Sequence, residues 1–166
     1  MYHSITAFLE DWDFEVHKTL NVFSLLTKDT SSVKVHSNIR TLDRLALHIS
    51  QVISDIGMQV GLFEQDDLAV QGTTTDLSQL IDIYKDYHQR MRSVVQTHWQ
   101  DNILDGDVTL FGKSWKRGDV LSLLVQHEIH HRSQMSVIMR ILDLPVPELY
   151  GPVREDWIKM GLPIAE

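Results

Sequence analysis

A chain of 166 residues, 43% hydrophobic and 23% charged, is long enough to bury a hydrophobic core, so we expect residues 1–166 to form a single domain. The net charge of −8 argues against nucleic acid or an anionic membrane surface as a partner, because both attract basic proteins. The chain has no cysteine, which excludes thiol catalysis, disulfide bonds and thiolate metal ligands, so a transition-metal site must use His, Asp or Glu.

The sequence carries no pattern typical of a membrane or exported protein. No apolar stretch approaches the roughly 20 residues of a spanning helix. Residues 1–4 do not begin a basic segment followed by an apolar one, as a signal peptide would. We therefore expect a cytoplasmic protein.

Two amphipathic helices are predicted in the first third of the chain. Apolar residues recur every three or four positions through residues 4–28, which predicts the first helix. The second is predicted over residues 41–62, with Thr41 at its N-cap. Its apolar face includes His48, where an aliphatic side chain would be usual, so we expect this imidazole to point into the fold.

A third helix is predicted after a polar connection over residues 64–75. It begins at the N-cap Asp76 and runs to residue 99. His98 continues its apolar face, so a core-facing position near one end is open to it. Residues 100–117 then break the helical period, and residues 108–116 within them predict a small hairpin or an extended excursion.

The fourth predicted helix, residues 118–142, contains two histidines on its buried face. That face repeats in alternating steps of three and four: Val120, Leu124, His127, His131, Met135, Ile138 and Leu142. Prolines end this helix, and residues 148–166 are predicted to pack as coil or a short helix. Four helices with little strand signal predict an all-α fold, a four-helix bundle.

Three inward-facing histidines predict a metal site. His127 and His131 are four residues apart, so their side chains point the same way, about 5–6 Å apart at Cβ. The third ligand must come from another segment, and His48 is the candidate. Three neutral imidazoles suit a divalent transition metal and leave one coordination position open for water or substrate.

The alternative is that each histidine is a core residue with a satisfied hydrogen bond. Three of them together favour the metal site, because each buried imidazole without a partner would cost about 1–3 kcal/mol. We expect the remaining histidines at the surface or in packing, with His130 facing away from the site: His3, His17, His36, His88, His98 and His130.

Residues 127–131 also match H-E-x-x-H, a zinc-protease signature whose Glu is a general base. A longer form of the signature needs Gly at position 134 and His at position 137, where this chain has Gln134 and Val137. Glu128 lies about 100° around the helix from its neighbour His127, so we expect it beside the ligands or at the surface rather than as a catalytic base. A zincin-like metallohydrolase is therefore the alternative function.

Three segments resemble the DinB family of DinB/YfiT-like metalloenzymes. They are residues 42–49, residues 127–134 with the pattern H-x-x-x-H-R-S-Q, and residues 142–152. The resemblance covers nearly the whole chain and departs from the family at Ser133, where a glycine is usual. It implies a four-helix bundle with a crossover connection, often dimeric, that holds a divalent metal. The ligands matched by position are His48, His127 and His131.

The residues and the resemblance together leave three hypotheses for function, of which the resemblance implies the first and the third. The first is a metal-dependent enzyme, a thiol-dependent S-transferase that acts on a small molecule with a low-molecular-weight thiol such as bacillithiol as cosubstrate. The second is the zincin-like hydrolase, and the third is a non-catalytic metal-binding protein of the stress response. We expect Zn, Ni or Fe, because three histidines accept each of them. We also expect a homodimer that pairs through exposed apolar side chains such as Leu47, Ile53 and Phe63.

Overall fold

Four long helices build most of the fold. A computed structural model describes residues 1–70, 74 and 76–164. Its helices are α1 (Ile5–Phe23), α2 (Lys28–Ser31), α3 (Leu42–Gln59), α4 (Asp67–Val70), α5 (Leu77–His98), α6 (Arg117–Ile141) and α7 (Arg154–Lys159). A short antiparallel hairpin, β1 (Asp107–Leu110) and β2 (Lys113–Lys116), precedes α6. The predicted all-α four-helix bundle, hairpin and short helix in the tail are confirmed.

The bundle places α3 and α6 side by side. Both α1 and α3 make their main helix contacts with α5 and α6, so α1 lies diagonally opposite α3 among the described residues. The connection from α1 to α3 therefore crosses the end of the bundle, and so does the connection from α5 to α6 that contains the hairpin. This arrangement confirms the predicted crossover. It also brings the helix that carries His48 against the helix that carries His127 and His131.

Local chemistry sets the ends of the helices. The carboxylate of Asp76 accepts a hydrogen bond from the backbone N–H of Gln79 at 3.0 Å, as predicted for an N-cap. Thr41 precedes α3 but makes no side-chain cap, because its hydroxyl donates to the Asp43 carboxylate instead. At its other end α3 stops before Gly61, whose φ of +76° is a left-handed backbone conformation that cannot extend a right-handed helix. This glycine explains why α3 ends three residues before the predicted boundary at residue 62.

Gly118 lets the N-terminal segment lie directly on the first turn of α6. The backbone N–H of Tyr2 donates to the Gly118 carbonyl at 3.0 Å. A Cβ atom on this glycine would lie 2.0 Å from the Tyr2 carbonyl oxygen. The close approach therefore requires a residue without a side chain.

Three side chains expected at a dimer surface lie in the core of the monomer. Leu47, Ile53 and Phe63 are 2%, 3% and 7% exposed, so the prediction that they are exposed is wrong. Leu47 and Ile53 are buried because α3 is covered by α5, α6, α4 and β1, which bury more than one of its faces. Phe63, which follows α3, packs edge-on against Tyr87 of α5. The homodimer itself stays a prediction, but these residues do not offer it a surface.

Two further comparisons with the sequence predictions concern α5 and the connection that precedes it. His98 is exposed at the end of α5, where its Nδ1 lies 3.0 Å from the Val94 carbonyl oxygen, so its predicted place at the surface or in packing is confirmed and it does not face the core. The predicted connection over residues 64–75 includes the short helix α4, and residues 71–73 and 75 of it lie outside the described part of the chain. Within the described residues, every helix is too short or too polar to cross a membrane.

Candidate metal centre

The three predicted histidines meet between α3 and α6. One ring nitrogen from each of His48, His127 and His131 can be chosen so that all three lie within 4.8 Å of one another. The ring centroid of His48 lies 5.2 Å from that of His127 and 4.6 Å from that of His131. The Nε2 atoms of His127 and His131 are 3.1 Å apart. Two nitrogens bound tetrahedrally at about 2.0–2.1 Å would lie roughly 3.3 Å apart, so these side chains fit a shared metal ion.

The surroundings favour the neutral form of each imidazole. Burial, together with repulsion from the neighbouring His131, lowers the pKa of His48 to about 4. Burial likewise lowers the pKa of His127 to about 4, with added repulsion from His131 and His48. The pKa of His131 is lowered as well, mainly by burial. All three rings are therefore uncharged near pH 7, which is the form that ligates a metal.

Gln134 sets the tautomer of His131. The Nδ1–H of His131 donates to Gln134 Oε1 at 2.8 Å, which leaves the Nε2 lone pair free on the side facing His127. The Gln134 amide nitrogen in turn donates to Nε2 of the exposed His130 at 3.1 Å, so both ends of the amide are used. Such outer partners commonly orient metal-binding imidazoles.

The role of Gln134 was missed from the sequence, although a signal was present. Gln134 follows His131 by three residues, a spacing at which helical side chains contact each other. The side chain of His130 is exposed, as predicted, and it is not a member of the cluster of three, although its ring centroid lies 4.9 Å from that of His131. His48 and His127 are partly exposed, so the site opens to solvent instead of being sealed in the core.

His88 is a packing residue, as predicted. Its ring stacks on Trp12 with centroids 4.3 Å apart and planes 7° from parallel. Its Nε2–H donates to the Trp12 carbonyl at 2.9 Å, and Trp12 Nε1–H donates back to the His88 carbonyl at 3.2 Å. This buried pair joins α1 to α5 and takes no part in the metal centre.

Glu128 points into the bundle core on another face of α6. Its Oε1 accepts hydrogen bonds from the Thr19 hydroxyl at 2.5 Å and the Tyr84 hydroxyl at 2.6 Å. Burial raises the pKa of its carboxyl group. The expectation that Glu128 is not positioned as the base is supported, but its expected place beside the ligands or at the surface is wrong. The helices α1 and α5 cover this face of α6, which the single-helix pattern could not show.

Arg132 binds this network together. Its Nη1–H groups donate to the Glu15 carbonyl at 3.1 Å and to the Thr19 hydroxyl at 2.9 Å. Its Nη2 donates to the Glu15 carboxylate and to the Tyr150 hydroxyl. The Tyr150 hydroxyl donates to Glu15 Oε2 at 2.6 Å, which ties the tail to α1. The arginine and glutamine that follow His131 in the sequence therefore serve different purposes, the first in the core and the second at the metal centre.

The geometry gives the protease signature little support. A zincin base must reach a water at the metal, whereas the Glu128 carboxylate contacts Thr19 and Tyr84 from the helices opposite. Among the described residues, no Asp or Glu oxygen joins the cluster of three histidine nitrogens. The H-E-x-x-H spacing is present, but the glutamate is held elsewhere.

Comparison with known proteins agrees with this fold. The DinB family model matches residues 1–162. The uncharacterized protein YrdA of Bacillus subtilis strain 168 is 33% identical over 165 residues, which cover 98% of this chain and 97% of YrdA. A DinB-like protein from Bacillus cereus ATCC 10987 has a crystal structure that superposes with a TM-score of 0.79 at 30% identity, covering 90% of this chain and 100% of that one. The DinB-like protein YjoA of Bacillus subtilis shares the fold at 17% identity, with a TM-score of 0.69 and coverage of 89% and 99%. The chain therefore belongs to the DinB family.

Proposed function

We propose that this protein is a metal-dependent enzyme that binds one divalent transition metal through His48, His127 and His131. The observation that carries the proposal is the convergence of three uncharged ring nitrogens within 4.8 Å of one another. A closed structural site usually has four protein ligands, whereas three leave a position for a substrate or water. The partial exposure of His48 and His127 supports access to that position.

We further propose that the reaction is the transfer of a low-molecular-weight thiol to a small electrophile. A bound divalent ion would lower the pKa of a thiol or water and so make a nucleophile available near neutral pH. In the transfer, the thiol sulfur forms a bond to an electrophilic carbon, the bond from that carbon to its leaving group breaks, and the thiol proton passes to solvent. The chain has no cysteine, so the thiol must come from a separate molecule.

The protein's own groups prepare the site. Gln134 holds His131 in the tautomer that presents Nε2, and the buried surroundings keep the imidazoles uncharged. The core network fixes α6 against α1 through Arg132, so that the helix bearing two of the three ligands has a defined position. A pre-positioned ligand set binds metal without a large reorganisation of the fold.

Metal analysis tests the first part of the proposal. Protein purified without a metal-affinity column is dialysed against equimolar Zn, Ni and Fe under reducing, anaerobic conditions, and its metal content is measured. We expect one ion per chain, lost in His48→Ala, His127→Ala and His131→Ala. His130→Ala is the matched control on the same helix and should retain the ion. Loss in His130→Ala with retention in His131→Ala would contradict the ligand assignment.

A thiol-transfer assay tests the second part. Metal-loaded protein is incubated with bacillithiol or glutathione and an aryl halide, and thioether formation is measured. We expect turnover in the wild type and none in His127→Ala. Peptide cleavage that disappears in Glu128→Gln would instead support the hydrolase. Metal binding without turnover in either assay would support the non-catalytic stress-response protein.

A further inference from the structure

A groove opens beside the metal centre, between the segment before α3 and the C-terminal half of α6. Its volume is about 620 Å³, a size typical of small-molecule sites. Polar and apolar side chains both line it, among them Ile39, Arg40, Leu45, Gln134, Val137 and Ile141.

Gln134 connects this groove to the metal centre. Its side chain lines the groove and also accepts the hydrogen bond from His131 Nδ1–H. A molecule in the groove would therefore lie next to the histidine cluster.

The groove is positively charged although the protein as a whole is acidic. Arg40 is the only charged side chain among the residues that line it, and it forms no ion pair with any described residue. The ammonium of Lys34 donates to the Ile39 carbonyl at 2.8 Å, which brings a second positive charge to the same segment. In a chain of net charge −8, this local excess favours an anionic ligand.

The remaining wall is apolar and exposed to solvent. Val137 and Ile141, one turn apart on α6, are 60% and 58% exposed, and Ile39 opposite is 40% exposed. Large aliphatic side chains grouped around a concave surface mark a binding site more often than an isolated exposed one does. A ligand with an apolar body would remove them from water.

We propose that this groove binds a small organic carboxylate, with its anionic group at Arg40 and its aliphatic or aromatic body against Ile39, Val137 and Ile141. This assignment rests on the proposed function. It makes the groove the substrate-binding part of the metal centre and identifies the substrate class as amphipathic acids. Arginine pairs readily with carboxylate because its N–H groups match the two oxygens. The carboxylate anchors the molecule at Arg40, and Gln134 separates that anchor from His131.

Binding of six-carbon probes tests the proposal without requiring turnover. Hexanoate, 1-hexanol and hexylamine are titrated into the full-length, ¹⁵N-labelled protein, once free of metal and once loaded with zinc, and amide shifts are followed by NMR. We expect hexanoate to bind at least about fivefold more tightly than hexanol, and hexylamine to bind most weakly, in both forms of the protein.

Matched substitutions separate the charge from the apolar wall. Arg40→Gln should weaken hexanoate at least about fivefold and leave hexanol unchanged, whereas Arg44→Gln, which removes a cation outside the groove, should change neither. Ile141→Ser should weaken both hexanoate and hexanol. Ile158→Ser, which changes a similarly exposed isoleucine on α7, should weaken neither.

The possible failures are distinguishable. Hexanoate binding that needs zinc and ignores Arg40→Gln would overturn the groove proposal, since the carboxylate would then bind at the metal, and would leave the metal site intact. Equal binding of hexanoate and hexanol would also overturn it. A dimer in light scattering that Ile141→Ser dissociates, with no hexanoate binding, would show that a second copy covers this face. Arg40-dependent binding in a protein that does not retain zinc would support the groove and refute the proposed metalloenzyme.

Discussion

Replacing Arg132 with methionine tests whether the core network is ionic and buried. Arg132 is 1% exposed and is the cation closest to two buried carboxylates, at Glu15 and Glu128. Its removal would leave these groups without a charge partner in the bundle interior. Breaking a buried pair in this way typically costs about 3–5 kcal/mol of unfolding free energy. For a chain of this length, such a loss lowers the melting temperature by roughly 10–15 °C.

The assay is urea and thermal unfolding of matched variants, followed by circular dichroism. Arg140→Met is the control, because Arg140 lies on α6 like Arg132 but pairs with Glu155 of α7 at the solvent-exposed surface, where water screens the interaction. It should shift the unfolding midpoint far less than Arg132→Met does. Adding Glu128→Gln to Arg132→Met should recover part of the loss, because it removes one uncompensated carboxylate. Equal shifts in the two arginine variants, or no recovery in the double variant, would refute the assignment of Arg132.

Three other predictions follow from individual contacts. Gln134→Ala should weaken zinc binding about 10–100-fold in a competition with a chromophoric chelator, whereas Ser133→Ala, at the exposed neighbouring position, should leave it unchanged. Burial lowers the pKa of His88 to about 4, against about 6.5 in the unfolded chain, so the unfolded state takes up the proton first as the pH falls. Relative to His88→Gln, the wild type should therefore keep its stability above pH 6.5 and lose up to about 3 kcal/mol between pH 6.5 and 4; parallel pH profiles would contradict this. Gly118→Ala should reduce the unfolding free energy by about 1–3 kcal/mol, because its Cβ would clash with the N-terminal backbone. Gly151→Ala, where a Cβ meets no atom within 4 Å, is the control; an equal loss there would contradict the clash.

Periodicity along single helices was enough to predict the histidine cluster. The four-residue spacing of His127 and His131 places both rings on one face of α6 whatever surrounds that helix. His48 was predicted to point inward because it interrupts an apolar stripe, and the bundle brings it to the same place. The Asp76 cap and the end of α6 were predictable for the same reason, because the side chains that determine them are neighbours in sequence.

Contacts between distant segments decided the rest. Glu128 was expected not to act as the catalytic base, but only α1 and α5 determine that it meets Thr19 and Tyr84 instead of water. Leu47 and Ile53 look available on an isolated helix and are buried because α3 has neighbours on several sides. The groove beside the metal centre likewise needs both the segment before α3 and the end of α6.

The sequence by itself therefore determined the four long helices of the bundle and the three histidines that converge, because these depend on spacing within a few turns. Only the tertiary structure decided that Arg132 belongs to the core, where it joins Glu15, 117 positions earlier, and Tyr150, 18 positions later. A periodic pattern states which face of a helix is apolar or polar. Which other helix covers that face depends on how the chain crosses the bundle, and that is set by packing among segments far apart in the sequence.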